Sequence, residues 1–347
     1  MRRGGAAALG LLVLVARQAP ALDAPPFALG PSRETTWSTG DPALDGLQDY
    51  LRPTLEANRK EFTGRSGEVK AFGAGTTYPQ VWIRDSATLV PLSRHYYPRE
   101  FLVSWILEHL AHQGPDGLLN DWVAVGEPAR FRNDAPRVRE VLRRPGLVMS
   151  ADRNTSSADQ ESALVDAVAQ VTALSGDTRW LKERVAGRPV IDRVDQALGA
   201  LYDARYDPGQ GLLVTAFTAD WGDVTPAHGD QRVIYLDDST PLVTGLYVNA
   251  YFVGAARSLS DLQQRLGHAD RAQLWTARAE AMAAVVNARF WQEARGFYRI
   301  HLPVKGPPGF SFPDEAGRFA LGGNALAVIS GIASDRQAAR IFAAAEE

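Results

Sequence analysis

A chain of 347 residues with 37 Lys and Arg against 40 Asp and Glu has a formal net charge of -3, which excludes the concentrated basic face that nucleic acid requires. It has no cysteine, so disulfide staples are excluded and packing alone must hold a chain long enough for a large core. Eight tryptophans and ten tyrosines, many near acidic residues outside the apolar runs, suit a surface that stacks on the apolar faces of sugar rings.

In chain order, Arg2 and Arg3 precede a small and apolar run at residues 6–16, followed by Ala19-Pro20-Ala21. This is the layout of an export signal cleaved after Ala21. The run is short of the ~20 residues that span a bilayer, so the expectation is an exported protein, periplasmic or extracellular. It should have no membrane contact once residues 1–21 are removed; a retained anchor is the alternative. Residues 22–39 are Pro-rich and irregular, an arm or linker, and the remaining domain covers residues 40–347.

Leu44, Leu47, Leu51 and Leu55 recur at helical spacing and predict a helix over residues 41–62, followed by a glycine-rich loop over 64–75. Next comes Thr77-Tyr78-Pro79-Gln80-Val81-Trp82-Ile83-Arg84-Asp85-Ser86, in which Pro79 favours extended backbone at Tyr78 and a helix starts with Asp85 or Ser86 near its N-cap. Its adjacent guanidinium and carboxylate offer the donors and acceptors that hydroxyl pairs need. A capped core helix with a salt bridge is the plainer reading. Phe101, Leu102, Trp105, Ile106, His109 and Leu110 predict a further helix, ending at the turn cluster of residues 113–117.

Residues 120–149 show no sustained period and read as a long rim loop. The six arginines between Arg130 and Arg144 are interrupted by Asp134 and Glu140, a solvated surface. Ser157-Ala158-Asp159-Gln160 matches a capping box and opens a helix striped by Leu164, Val165, Val168, Val171 and Leu174. A helix with a break at residues 187–189 is predicted over 177–202, then a strand over 212–217 that ends in Asp220-Trp221-Gly222-Asp223. Residues 241–258 are apolar nearly all round, a helix buried on every side, whereas 269–290 carries a polar face with Arg271, Arg278, Glu280 and Arg289. A strand over 296–302, a helix over 325–332 introduced by Gly322-Gly323-Asn324, and another helix from Asp335 complete the chain.

Buried helix, amphipathic helix and loop or short strand thus alternate. The fold class expected is all-α, an (α/α)6 toroid of helical hairpins with short strands in rim loops. The loops that precede the inner helices then share one end of a central cavity, and Arg84-Asp85, Asp159-Gln160-Glu161 and the 220–223 loop all lie at such boundaries.

On these residues the sequence resembles the six-hairpin glycosidase superfamily, the (α/α)6-barrel glycoside hydrolases of glycogen-debranching and processing-glucosidase type. Residues 78–86 resemble the aromatic-x-Arg-Asp motif, 157–165 the acidic cap of an inner helix, 219–224 the Trp-containing acid loop, and 322–327 a Gly-Asn-x-x-Ala helix start. The resemblance implies hydrolysis of an O-glycosidic bond, with inversion. It makes Asp223 the general acid, with Asp220 second, and Arg84 and Asp85 sugar-contacting groups. In one branch of the family the acid directly follows the Trp, where this chain has Gly222.

Such hydrolysis needs one protonated carboxyl and a second carboxylate. The glycine in Asp220-Trp221-Gly222-Asp223 permits a sharp turn and the indole shields the site; an acidic turn after a strand is the alternative. Asp159 and Glu161 complement a helix dipole, and one of them is expected to face the cavity. Tyr78, Trp82 and Trp221 are expected as stacking surfaces. Asn249, between Tyr247 and Tyr251 in an apolar helix, needs a buried partner or a ligand. Asp223, Asp230, Asp237 and Asp238 could offer calcium oxygens but fit no calcium-loop spacing, so neither metal nor cofactor is expected, and the partner expected is a carbohydrate. Asn154-Thr155-Ser156 is a glycosylation sequon.

About nine long helices are legible by periodicity, fewer than six hairpins need, so the barrel is expected to be incomplete at its C-terminus. The general base is expected to be missing, with Asp314 and Glu315 as weak substitutes, and the fragment inactive in that case. Two other readings stay open: a non-catalytic carbohydrate-binding protein on the same barrel, and an α/α-barrel epimerase or lyase. The second needs His or Tyr proton carriers, and His109, His112 and His228 are the histidines it would draw on.

Overall fold

The computed structural model describes residues 38–126, 139–218 and 235–346. Among these residues the fold is built on helices α1 (Gln48–Asn58), α2 (Ile83–Ser93), α3 (Glu100–Ala111), α4 (Gln160–Ser175) and α5 (Val190–Arg205). Four more follow: α6 (Leu246–Arg265), α7 (Ala269–Phe290), α8 (Leu321–Ile329) and α9 (Asp335–Glu346). The signal, residues 22–37 of the arm and the whole 219–234 stretch lie outside the described residues.

From α2 onward the helices form antiparallel hairpins, and α2, α4, α6 and α8 pack side by side in that order. These are the inner helices. The α6 segment shows why: Leu246, Val248, Phe252, Val253, Ala256 and Leu259 leave water on several faces at once, so it can be stable only when surrounded. In α7 the buried side chains Ala272, Trp275, Ala279, Met282, Val286 and Phe290 recur at helical spacing and press one face onto α6. Asp195 of α5 accepts the indole N–H of Trp275 at 2.7 Å, and the Arg278 guanidinium lies 4.0 Å from the centre of the Tyr202 ring. A single apolar core runs through all four hairpins.

Three expectations are corrected. The helix over residues 41–62 stops at Asn58, and residues 59–72 form an antiparallel hairpin, β1 (Arg59–Thr63) with β2 (Glu68–Phe72), closed by the amide of Gly64 on the carbonyl of Gly67. Side chains alternate across it, and Val69, Ala71 and Phe72 are buried beside α3. A Cβ at Gly64 would stand 2.6 Å from the Glu108 carboxylate, so glycine is required there.

The second correction is the rim loop over residues 120–149. Its described parts belong to a four-stranded antiparallel sheet of β3 (Val81–Trp82), β4 (Trp122–Val125), β5 (Glu140–Arg144) and β6 (Leu147–Asp152), ordered β3-β4-β6-β5. Much of β4 and β6 is covered on both faces, so their apolar residues run on without the alternation that marks a half-exposed strand. Third, the helix expected over 177–202 begins only at Val190; Arg179–Lys182 is a single 3-10 turn, and Ala186-Gly187 turns the chain between two short strands.

Two short strand pairs follow the outer helices α5 and α7: Tyr206–Asp207 with Leu212–Leu213, and Trp291–Gln292 with Phe297–Tyr298. A three-stranded sheet of β7 (Thr215–Ala216), β8 (Leu242–Gly245) and β9 (His301–Lys305) leads into α6. Among the described residues no helix is long and apolar enough to cross a membrane.

Candidate active site

The N-terminal ends of α2 and α4 converge on one ion pair. Helix α2 begins at Ile83 with Trp82 as its N-cap, earlier than expected, so Arg84 and Asp85 lie in the first helical turn. Strand β3 holds this start in place, because Trp82 pairs with Trp122 and the Ile83 amide donates to the Asp121 carbonyl at 2.9 Å. Arg84 Nη1 reaches Asp159 Oδ1 at 3.1 Å and Ser157 Oγ at 3.2 Å, with side-chain exposures of 12% for Arg84 and 2% for Asp159.

Asp159 is the N-cap residue of α4, yet its side chain makes no cap hydrogen bond. The expected capping box does not form. Instead Gln160 Oε1 accepts the Asp159 amide at 3.2 Å, and the Asp159 carboxylate is turned to Arg84. A good cap gives up its usual partner here in favour of a long-range one.

Around the pair the field is acidic. Burial opposes the charge on Arg84, but Asp159 and Asp121, then Tyr247 and Asp85, hold it above its ordinary range. Burial raises the Asp85 carboxyl, with Arg84 offsetting part of the effect. On α6, Tyr247 and Tyr251 meet edge to face at 6.0 Å, and burial raises the Tyr251 phenol well above its ordinary range, reinforced by Asp166 and Tyr247. Tyr78 is exposed, and Trp82 stands 6.2 Å from Trp122, centre to centre.

Two of the expected site residues are placed elsewhere. Glu161 is fully buried, gripped by Arg153 through both oxygens, and accepts the Leu119 amide at 2.9 Å. It ties the end of β6 to the turn before β4 and does not join the Arg84 cluster. Asn249 is fully buried with all its amide bonds made to backbone: it accepts from the Leu213 N–H at 2.8 Å and donates to the carbonyls of Leu213 and Gly245. The partner it needed is the chain itself. Asp220, Trp221 and Asp223, with His228 and Asp230, lie outside the described residues.

Asp314 and Glu315 line a cavity of about 140 Å³ with Phe217, Arg299, His301, Pro303 and Phe312; Glu315 is held by His301 at 2.8 Å. His109 and His112 are buried in α3, and His112 is clamped between Glu108 and Glu140, so neither is presented to the Arg84 cluster. Asp121 is a member of the cluster that periodicity did not reveal. Among the described residues, no group of three His, Cys, Asp or Glu side chains is placed to hold a metal ion.

The sequence model of the mannosylglycerate hydrolase MGH1-like glycoside hydrolase domain matches residues 78–308. Among solved structures, the chain is similar to a GH78 family rhamnosidase of Bacillus sp. GL1, with a TM-score of 0.58 and 16% identity over 90% of this chain and 27% of that one. It is also similar to a rhamnosidase from Klebsiella oxytoca with rhamnose bound, with a TM-score of 0.57 and 12% identity over 90% of this chain and 48% of that one. A GH63 mannosylglycerate hydrolase from Thermus thermophilus, in complex with glucose, aligns at a TM-score of 0.49 and 18% identity over 86% of this chain and 76% of that one. The chain therefore spans about a quarter and about half of the two rhamnosidases. At these identities the likeness speaks to the fold, a toroid of helical hairpins. No curated protein matches the chain closely enough to mark a relative.

Proposed function

We propose, for a chain that belongs to the mannosylglycerate hydrolase MGH1-like glycoside hydrolase family and so to the six-hairpin glycosidase superfamily, that it hydrolyses the O-glycosidic bond of a small glycoside. The observation that carries this is the nearly buried Arg84–Asp159 pair at the N-terminal rim of two inner helices. A fixed guanidinium beside a carboxylate presents donors and acceptors to adjacent ring hydroxyls, and in low dielectric each such hydrogen bond is stronger than in water. Asp85 supplies a further acceptor, and Tyr78 and Trp82 supply stacking faces.

The proton chemistry falls to the 220–223 loop. Asp223 donates a proton to the leaving oxygen, Asp220 is the second choice, and Trp221 shields the site from water. Water attacks the anomeric carbon with inversion and gives its proton to a second carboxylate acting as general base, which sets the acid and the base ~6.5–9.5 Å apart. Mannosylglycerate is the first substrate to test, because the family model carries its name. We further read residues 1–21 as the signal that exports the protein.

The test is release of free sugar from mannosylglycerate and a panel of mannosides, glucosides and rhamnosides. Asp223→Asn is expected to abolish release while sugar binding persists. Turnover unchanged in that variant removes Asp223 from the acid role, and binding without release by the wild-type chain makes this a carbohydrate-binding protein.

A further inference from the structure

Asp121 directly precedes β4, and its carboxyl is coupled to both Arg84 and Asp159. It is 2% exposed. Its amide donates to the Asp152 carbonyl at 2.7 Å and its carbonyl accepts from Ile83, the residue before Arg84. Its backbone is therefore fixed between β6 and the start of α2. The side-chain oxygen Oδ2 is buried and has no hydrogen-bond partner among the described residues.

The groups that face this carboxyl are Arg84 from α2, Asp159 and Gln160 from the head of α4, and Arg153 from the end of β6. Arg153 is engaged by Glu161. Arg84 thus feels three acids at once, Asp159, Asp121 and Asp85. Buried carboxyls that outnumber their cations do not all ionise. Asp121, with one oxygen unpartnered, is the natural holder of the proton. Burial pushes its carboxyl up to about 6, reinforced by Asp159 and opposed by Arg84, Arg153 and Gln160.

We propose that Asp121 is a positioning residue that acts through Arg84: while it keeps its proton, Arg84 stays on Asp159 and Ser157, and when it ionises it draws Arg84 away and weakens sugar binding. This rests on the reading that Arg84 and Asp159 hold the sugar. In its neutral form Asp121 leaves the guanidinium to Asp159 and Asp85. In its charged form it is a third, deeply buried acid competing for the same guanidinium.

Calorimetric titration of the whole chain with mannosylglycerate and with D-mannose between pH 5 and 7.5 tests this. Wild-type Kd is expected to rise about tenfold across the window, the effect of losing one charge-assisted hydrogen bond, and Asp121→Asn is expected to give a flat profile. A flat wild-type profile, or a slope that survives in Asp121→Asn, overturns the proposal. No binding at any pH overturns the sugar-site reading and with it this proposal, whereas binding with a flat profile overturns this proposal alone.

A carboxyl whose folded pKa is raised binds a proton in the folded state that the unfolded chain has released. Wild-type stability relative to Asp121→Asn should be highest below the ordinary value of 3.8, decline as pH rises to about 6 and level off above it. A constant difference means that no buried proton exists there. Should Asp121→Asn fail to fold, carbon-13 NMR of the wild-type aspartates gives the same reading, and the absence of an aspartate that titrates near pH 6 overturns the proposal.

Discussion

At the residue scale the account turns on side chains that give up a local role for a distant one. Asp159 leaves its own helix uncapped and meets Arg84, 75 positions away in sequence. Removing Asp159 takes from the buried guanidinium the acid it is bonded to and leaves it only Asp121 and Asp85, so Asp159→Asn is expected to cost about 3 kcal/mol in urea unfolding. A loss under ~1 kcal/mol would mean that the pair is solvated and works as a surface bridge.

The sequence marked Arg84 and Asp85 because an aromatic, a proline and a charge pair coincide at a predicted helix start. It also marked Asp159 and Glu161 together without separating them. What separates them is tertiary: Arg153 reaches across eight residues to Glu161, and no spacing rule encodes that. Asp121 was hidden because it directly precedes β4, a strand whose burial on both faces erases periodicity.

At the scale of elements, α6 and α8 repeat one device. Asn249 and Asn324 each stand at the fourth position of their helix, and each is buried. Asn324 accepts from the Tyr298 N–H at 2.9 Å and donates to the carbonyls of Tyr298 and Ala320, the same set that Asn249 makes with Leu213 and Gly245. Each asparagine pins its inner helix to the short strand pair that follows the preceding outer helix. With three bonds lost, Asn249→Ala and Asn324→Ala should each cost roughly 2–4 kcal/mol, read from denaturant midpoints. A substitution that removes sugar binding and leaves stability intact would instead return Asn249 to the site.

A second element-scale device ties α3 to the β1–β2 turn and to β5. Glu108 accepts from the amides of Arg65 and Ser66 at 2.8 and 2.7 Å and from His112 at 2.9 Å, while His112 also meets Glu140 at 2.8 Å. Burial works against ionisation at Glu108, but His112 and the two amides outweigh it and bring the carboxyl down to about 2. Burial also opposes the charge on His112, but Glu108 and Glu140 outweigh it and raise the imidazole above 6.5.

The signs differ. The Glu108 contribution is present above 4.5 and is lost as pH falls towards 2; the His112 contribution is full below 6.5 and is lost as pH rises through the higher folded value. Stability from this cluster should therefore plateau between about pH 4.5 and 6.5. In His112→Gln the alkaline decline should vanish while the acid one remains. An unchanged alkaline arm would assign it to another group.

At the scale of the molecule, the alternation of all-round and one-sided apolar helices was legible, and with it the inner and outer layers. The unlike burial of α6 and α7 is written directly into their side chains. The hairpin at residues 59–72 and the sheet around β4 and β6 were less legible. In the first, helical leucine spacing ran into an alternating segment without a strong stop signal; in the second, there was no alternation to read. Helix ends also moved where strand pairing won, as at Leu242–Gly245, which joins His301–Lys305 before α6 begins. Of these strands, β3 and β4 fix the start of α2 and so the position of Arg84.

The central claim is that the rim of this helical toroid holds a sugar through Arg84. Titration of the wild-type chain and of Arg84→Ala with mannosylglycerate, alongside their unfolding curves, tests it most directly. Binding by the wild type is expected, with at least about tenfold weaker binding by the variant, from the loss of charge-assisted hydrogen bonds. Equal affinity in two folded proteins would contradict it.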